Sequence, residues 1–387
     1  LVKEYIIDNI SEYLELIREK KFHNYIFRGQ NQAFTGIQAS GFRTYKGGWG
    51  TNQFYDIKEM KRQFFNKVVR KISNDEKKFF LAFCQHHGLP TNLVDFTTSP
   101  LIALFFACYG KEKPKENILI DDAEIYLIKK EKLLDITDMI AEFNNKDFFE
   151  SLLVNEEIRK KTLFKLEQLF TTQSDIALIY LNRLIDCYEN NNINIHGESL
   201  TELDEEAREI VEEGDYYLNK LSDFKNKNEI SELYDYLLNE IDDESITYGE
   251  TYRLESFIYY STEEVIARVY LALLINLLQI QFDCGDQQLN LDFDMYFTYQ
   301  PPDLFDRIVN QKGLFIYQPY LSKTDEQYQF TVLSYQSINP DYTLRIRNHH
   351  EILNELNFLG INLESIYGDF DNIAKSVKFN HDYTFKQ

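Results

Sequence analysis

The run "CQHHGLPTNLVDFTTSPLIALFFAC" (84–108) holds a helix end, a strand and a helix start in succession, and its reading decides the fold. Residues of helical period stop at Gly88, a natural first residue beyond a helix because it tolerates positive φ, and Pro90 forbids continuation. Phe80, Cys84 and His87 share one helical face while Ala82, Gln85 and His86 project elsewhere, so one of the two histidines is expected to look inward. "NLVDF" reads as a strand whose alternation puts Leu93, Asp95 and Thr97 on one face and Asn92, Val94 and Phe96 on the other. Asp95 is thereby expected on a partly buried side, where a carboxylate requires a donor. Ser99 followed by Pro100 spells a helix start, with serine as N-cap and proline at the first helical position. "PLIALFFACY" is apolar all round, as a helix sunk in a core is. Its N-terminus, preceded by Thr97, Thr98 and Ser99, offers amides and hydroxyls suited to a phosphate or pyrophosphate, with a plain helix cap as the competing reading.

Upstream, "LVKEYIIDNISEYLELIREKK" (1–21) reads as an amphipathic helix, and "NYIFRGQ" (24–30) as a short strand that stops at Gly29, which puts Arg28 near a strand end. Residues 36–52, with "KGGWGTN", read as a loop. A helix is expected over 53–72, with Phe54, Ile57, Phe64, Phe65, Val68 and Ile72 on one side. Ser73 with Glu76 three residues on starts another, over 74–87. Downstream, 111–117 reads as a charged loop and "NILIDDAEIYLIKK" (117–130) as strands about an acidic turn. Residues 133–241 are helical in period, charged and free of proline, and the acid-rich stretch 201–215 reads as a solvated helix face. The apolar run 265–280 is interrupted by Arg268 and Asn276 and falls short of the about 20 residues that span a bilayer, so it reads as a buried helix. A turn, a short helix and a strand follow over 296–320, then a strand at "YTLRIRN" (342–348) and a closing helix at "HHEILNELNFLG" (349–360), ended by Gly360. Three regions result: 1–132, an acidic helical insertion at 133–250, and 251–387.

With 387 residues, 44% of them hydrophobic, the chain has ample material for a buried core. A net charge of −22 argues against a free-standing nucleic-acid binder, because phosphate affinity rests on clustered Lys and Arg. The four cysteines lie far apart with no Cys-x-x-Cys pair, which suggests neither a zinc ribbon nor a disulfide framework and makes a reducing cytoplasm the expected home. His86 and His87 diverge on their helix and no second ligand cluster accompanies them, so no metal is expected.

Three segments together carry a family resemblance: "FRGQ" (27–30), "FCQHHGLPTNLVDFTTSPLIALFFA" (83–107) and "RIVNQKGLFIYQP" (307–319). The chain resembles the FRG domain, named for its Phe-Arg-Gly motif, over about residues 20–130 and 295–377. Asn92 stands where an Arg is common, Val94 for Leu and Phe96 for Trp. FRG domains are in turn similar in motif order to the ADP-ribosyltransferase superfamily, which implies an α+β fold with a split mixed β-sheet, here carrying a large helical insertion. The resemblance implies NAD as substrate, held by Arg28, Gly29, Gln30, Thr97, Thr98 and Ser99. It implies catalytic parts for Arg28, Asp95, Gln311 and His86. Arg28 would grip a phosphate or ribose oxygen, Thr97 and Thr98 would shape a nicotinamide pocket, and Asp95 or Gln311 would orient the ribose hydroxyls. The third motif, a late strand with a catalytic Glu, is matched poorly: Gln311 is the nearest polar candidate, and a glutamine lacks the charge that pairs with a ribosyl cation.

Two functions follow. One is an ADP-ribosyltransferase acting as an intracellular toxin or antiphage effector on a protein or nucleic-acid target, held in check by a neutralising or regulatory partner and away from membranes. The other is a non-catalytic nucleotide- or nucleic-acid-binding module with a helical docking region; a third reading makes the acidic helices the active surface.

Overall fold

The computed structural model describes residues 3–32, 36–46, 52–110, 123–143, 146–196, 261–284, 289–302, 304–325 and 330–384. The charged loop at 111–117, the first arm and acidic turn of 117–130, and the acid-rich 201–215 lie outside these. Packing divides the chain into two compact units, one of Leu1–Thr137, Tyr296–Tyr317 and Ile338–Gln387, the other of Asp138–Met295 and Gln318–Ser337. The boundaries read at 132 and 250 follow charge and proline content, whereas the units follow contacts.

The first unit opens with a strand, β1 (Lys3–Ile7), and then a helix, α1 (Ile10–Glu19), in place of the one helix expected. Asn9 forces the division, because its side chain accepts the Glu12 N–H at 2.9 Å and caps α1. Next, β2 (Tyr25–Gln30) runs through Gly29 rather than ending there. Two antiparallel strands of two residues each, β3 (Tyr45–Lys46) and β4 (Asn52–Gln53), stand within the expected loop. After α2 (Ile57–Val68), the predicted capping box forms at Ser73 and Glu76 and starts α3 (Asn74–Lys78). The expected helix to residue 87 breaks at Phe79 (φ −107°, ψ 38°), and α4 (Phe80–His86) restarts in a new direction. That turn lets Phe80, Phe83 and Cys84 bury against Phe64, Phe65 and Val68 of α2. β5 (Leu93–Thr97) and α5 (Pro100–Cys108) follow as read, then β6 (Ala123–Lys129) and β7 (Leu133–Asp135).

The chain then forms the helices of the second unit, α6 (Phe148–Val154), α7 (Glu156–Thr172), α8 (Ser174–His196) and α9 (Thr262–Cys284). It re-enters the first unit with β8 (Tyr296–Tyr299), α10 (Asp306–Asn310) and β9 (Gly313–Tyr317). A hairpin in the second unit, β10 (Tyr320–Asp325) and β11 (Phe330–Tyr335), precedes the return with β12 (Tyr342–Ile346). The first unit ends with α11 (His349–Phe358), α12 (Leu363–Tyr367) and α13 (Phe370–Thr384), so the expected closing helix is followed by two more. Gly360 does end α11, at φ +83°.

In the second unit, α9 is buried along nearly its whole described length, from Val265 and Ile266 to Leu277 and Leu278. Arg268 within it meets Glu167 of α7 at 3.0 Å, which compensates a charge placed on a buried helix. Buried Asp147 caps α6 through the Phe149 N–H and also accepts the Tyr320 N–H at 2.9 Å, tying β10 to the helix start. Among the described residues no helix is long and apolar enough to cross a membrane.

The first unit is α+β, built on one mixed sheet of order β1-β12-β6-β2-β5-β9-β8-β7. Pairs β1/β12 and β7/β8 are parallel and the rest antiparallel. Six registered pairs join β2 to β6 and five join β5 to β9, yet β2 and β5 share the single pair Phe27↔Thr97. The sheet is therefore two halves meeting at a seam. On one face Phe27, Ile125, Leu127, Leu344 and Ile346 pack with α1, α5 and α11, each large side chain stabilising the fold by about 1.5–3 kcal/mol.

Gly29 sets how closely α5 approaches that face. A Cβ there would stand 1.9 Å from the Ala103 carbonyl oxygen and 2.7 Å from the Ala107 nitrogen, so helix backbone rests directly on strand backbone. Neither can move without displacing the buried helix. Gly29→Ala is expected to lose about 3 kcal/mol of stability or more, read by urea denaturation, the upper end of what overpacking costs.

Candidate functional site

The bend in the opening stretch is held by hydrogen bonds among its own side chains. Gln85 Nε2 donates to Asp95 Oδ2 at 3.0 Å, and Gln85 Oε1 accepts the Thr91 hydroxyl at 2.5 Å. That hydroxyl oxygen accepts the Leu93 N–H, while the Thr91 N–H donates to Ser40 Oγ at 3.2 Å. Helix end, turn and strand are thus cross-braced, and Gln85, which the sequence reading left aside, is the brace. Asp95 is exposed, not partly buried as expected, because β5 meets β2 at one pair only and its side chain stands beside the seam. Its carboxylate nevertheless finds the donor that the sequence reading demanded.

Arg28 crosses the seam. Its Nε donates to Gln30 Oε1 at 3.1 Å and its Nη1 to the main-chain carbonyl of Asp95 at 2.7 Å. Burial draws the guanidinium pKa down from its ordinary value; the Asp95 carboxylate opposes that shift and Arg43 adds to it. An arginine stays charged all the same. Since Phe27 pairs with Thr97, strand alternation puts Arg28 on the opposite face from the Thr97 side chain. The two meet only at the seam.

The threonines beside α5 are largely spoken for. Thr97 is buried and its hydroxyl donates to the Gln311 carbonyl at 2.7 Å. Its oxygen also accepts the Ser99 N–H at 3.0 Å, and the Thr98 N–H donates to the Lys312 carbonyl at 3.1 Å. The expected open amides at Thr98 and Ser99 are therefore satisfied within the protein. Ser99 occupies the N-cap position without a side-chain capping bond, and its own amide donates to Thr97 Oγ1. Gln311, just before β9, comes within reach of the threonines through its backbone, and its buried Nε2 has no hydrogen-bond partner.

His86 lies flat against Phe305, with centroids 4.0 Å apart and planes 7° from parallel. It is half-buried while His87 is exposed, so the inward histidine is not the one on the Phe80 and Cys84 face. Burial, then His87 and Arg307, pulls the His86 pKa below its ordinary value. Arg307 sits 5.0 Å over the Tyr367 ring, and Tyr367 also feels the Asp95 carboxylate, which gathers α10, α12 and β5 at one rim. His86, Arg28 and the threonines are thus held by separate sets of contacts. Among the described residues no group of His, Cys, Asp or Glu is arranged to hold a metal ion.

Two residues that sequence reading passed over stand beside Arg28. Tyr126 is its registered partner on β6, and the Tyr126 hydroxyl donates a short hydrogen bond to Glu124. Both are buried. The signal was present in "AEIYLIK", where Glu124 and Tyr126 alternate with Ala123, Ile125 and Leu127.

The depressed His86 pKa fixes a pH dependence. Between the folded pKa and the unfolded value near 6.5, the unfolded chain binds more protons, so stability rises with pH in that window. Stability is expected to fall as pH drops through about 6.5, and His86→Gln should flatten that limb in urea titrations run from about pH 8 to about pH 5. An unchanged slope in the variant would contradict the assignment.

Comparison with known proteins adds one match. No curated protein matches the chain, and neither does any solved structure. The FRG domain family model matches residues 23–116, the segment that runs from β2 through the braced bend and α5.

Proposed function

We propose that the chain is an NAD-dependent ADP-ribosyltransferase-like effector that modifies an intracellular macromolecule, in the manner of a bacterial toxin or antiphage defence protein. The observation that carries the reading is the seam: a cationic side chain, Arg28, spans the one place where the sheet halves join, bound there to the main chain of Asp95. A mixed sheet divided in this way is what the superfamily resemblance implies. In the transfer, the bond between ribose C1′ and nicotinamide breaks with its electron pair leaving on nicotinamide. A target nucleophile then forms the new bond to C1′ and gives up its proton. The protein must hold the dinucleotide in place and stabilise positive charge on the ribose. Arg28 suits a phosphate oxygen. The exposed Asp95 carboxylate, 3.0 Å from its Gln85 donor, suits ribose hydroxyls. A cytoplasmic setting, a protein or nucleic-acid target and a neutralising partner belong to the same proposal.

A second reading, binding without turnover, is favoured by one observation. Gln311 is the nearest polar candidate for the Glu that the resemblance implies, and its side-chain amide carries no charge to pair with a ribosyl cation.

Incubating the full chain with NAD and cell extract separates the two. Release of nicotinamide that falls at least about 100-fold in Arg28→Ala supports the transferase, on the scale of lost transition-state contacts. Full activity in that variant would remove it. Saturable NAD binding with no nicotinamide after prolonged incubation would establish the second reading instead.

A further inference from the structure

Among the described residues the most exposed large apolar side chains are Phe358 and Phe370, each 91% exposed. Leu359 and Val377 are exposed as well, so four such residues lie on or beside the helices that close the first unit. A phenylalanine held in water is a cost that a lone copy of the fold does not recover, and apolar groups collected in this way mark a surface that another molecule covers.

Helix α13 puts its share of them in order. Asp369 starts the helix by accepting the Asn372 N–H at 2.9 Å, so Phe370 stands in its first turn. At about 100° per residue Phe370, Ala374, Val377 and His381 fall on one line, and all four are exposed. Buried Ser376, with half-buried Asn372 and Phe379, faces the other way, into the unit. The steps of four, three and four residues along the line are those of a coiled-coil seam, along which one helix packs against another. The Asn357 amide donates to Asn380 Oδ1 at 2.6 Å, which sets the end of α11, followed by Phe358 and Leu359, beside the C-terminal half of that line.

The charges that border the line decide what fits it. Asp371 and Lys378, both exposed, stand on the same edge seven residues apart, one acidic and one basic. Like edges of a seam face each other across antiparallel helices and not across parallel ones. When a second α13 runs antiparallel, with Ala374 of each copy against Val377 of the other, Asp371 of each copy lies within about 3 Å along the axis of Lys378 of the other. The twofold makes two such pairs, and Phe370 of each copy reaches the end of the line where Phe358 and Leu359 of the other stand. The face is complementary to itself in charge and in apolar surface, as a twofold interface requires. A net charge of −22 makes copies of the chain repel one another, so a surface on which they meet needs local opposite charges of this kind.

We infer that the outer face of α13 is a docking surface for a second copy of this chain, antiparallel and twofold, centred on Ala374 and Val377 with Asp371 and Lys378 paired across it. The inference is independent of the NAD reading.

Sedimentation equilibrium of the full chain from about 1 to about 100 µM tests it, the range in which so small an interface associates. A monomer–dimer equilibrium is expected. Phe370→Ser, Val377→Ser and either charge reversal alone, Asp371→Lys or Lys378→Asp, are each expected to weaken it at least about tenfold. The double reversal is expected to return the dissociation constant to within about threefold of wild type, because it restores both pairs with their signs exchanged. These four side chains are exposed, so the variants keep the fold, as far-ultraviolet circular dichroism checks. Should a serine variant unfold, the reversals and their rescue carry the test. A monomer throughout the range, or a dimer indifferent to both single reversals, would overturn the inference.

Discussion

The hydrogen bond from Arg28 to the main-chain carbonyl of Asp95 lies where the sheet is weakest, at a seam of one registered pair. A ladder that stops after one pair leaves main-chain groups facing the gap, and a buried one without a partner costs about 1–3 kcal/mol. A guanidinium can supply the missing donor and still reach a second acceptor, because its planar fork presents several N–H groups at fixed angles; an ammonium at the end of a lysine would present a point charge. The three residues of the motif thus divide the labour. Phe27 makes the seam pair and fills the core, Arg28 bridges the gap, and Gly29 lets the α5 backbone touch the strand. The cross-brace from Gln85 to Thr91 and Asp95 then fixes β5 at the angle at which that bridge can form.

Local grammar was legible and tertiary context was not. The capping box at Ser73 and Glu76, the stop at Gly88, the strand at Leu93–Thr97 and the proline-initiated α5 all depend on residues within a few positions of one another, and all appear where read. The first strand was missed because its reason for being extended lies more than 300 residues away, in its parallel pairing with β12. The break at Phe79 was missed because helical period continues through it, and only the aromatic cluster with α2 requires the turn. Asp95 was placed on a buried side because alternation assumes a neighbour on each edge, which the seam withholds.

The same reasoning explains why Arg28, Asp95 and Thr97 were legible as neighbours while Glu124 was not. The family match ends at residue 116, before β6 begins, and β12 lies beyond it altogether. Which side chains stand beside Arg28 is a matter of register between strands about 100 and 300 residues apart, and register leaves no local trace except alternation. A glutamate and a tyrosine alternating with aliphatics in "AEIYLIK" say only that one face of the strand is polar.

A buried polar row in a sheet whose core is mostly apolar needs a physical reason. Replacing paired buried charges by well-packed hydrophobic side chains is often neutral or stabilising, so stability alone does not explain the row of Gln30, Glu124 and Arg345. A network kept to enforce one unique packing would be expected to satisfy its own members, since each buried donor or acceptor without a partner undoes part of the gain. This one pairs Tyr126 with Glu124 and leaves Gln30 Nε2 and Arg345 Nε without partners. Incomplete pairing in a rigid, well-registered sheet is costly for folding, because each buried group left without a partner forfeits about 1–3 kcal/mol.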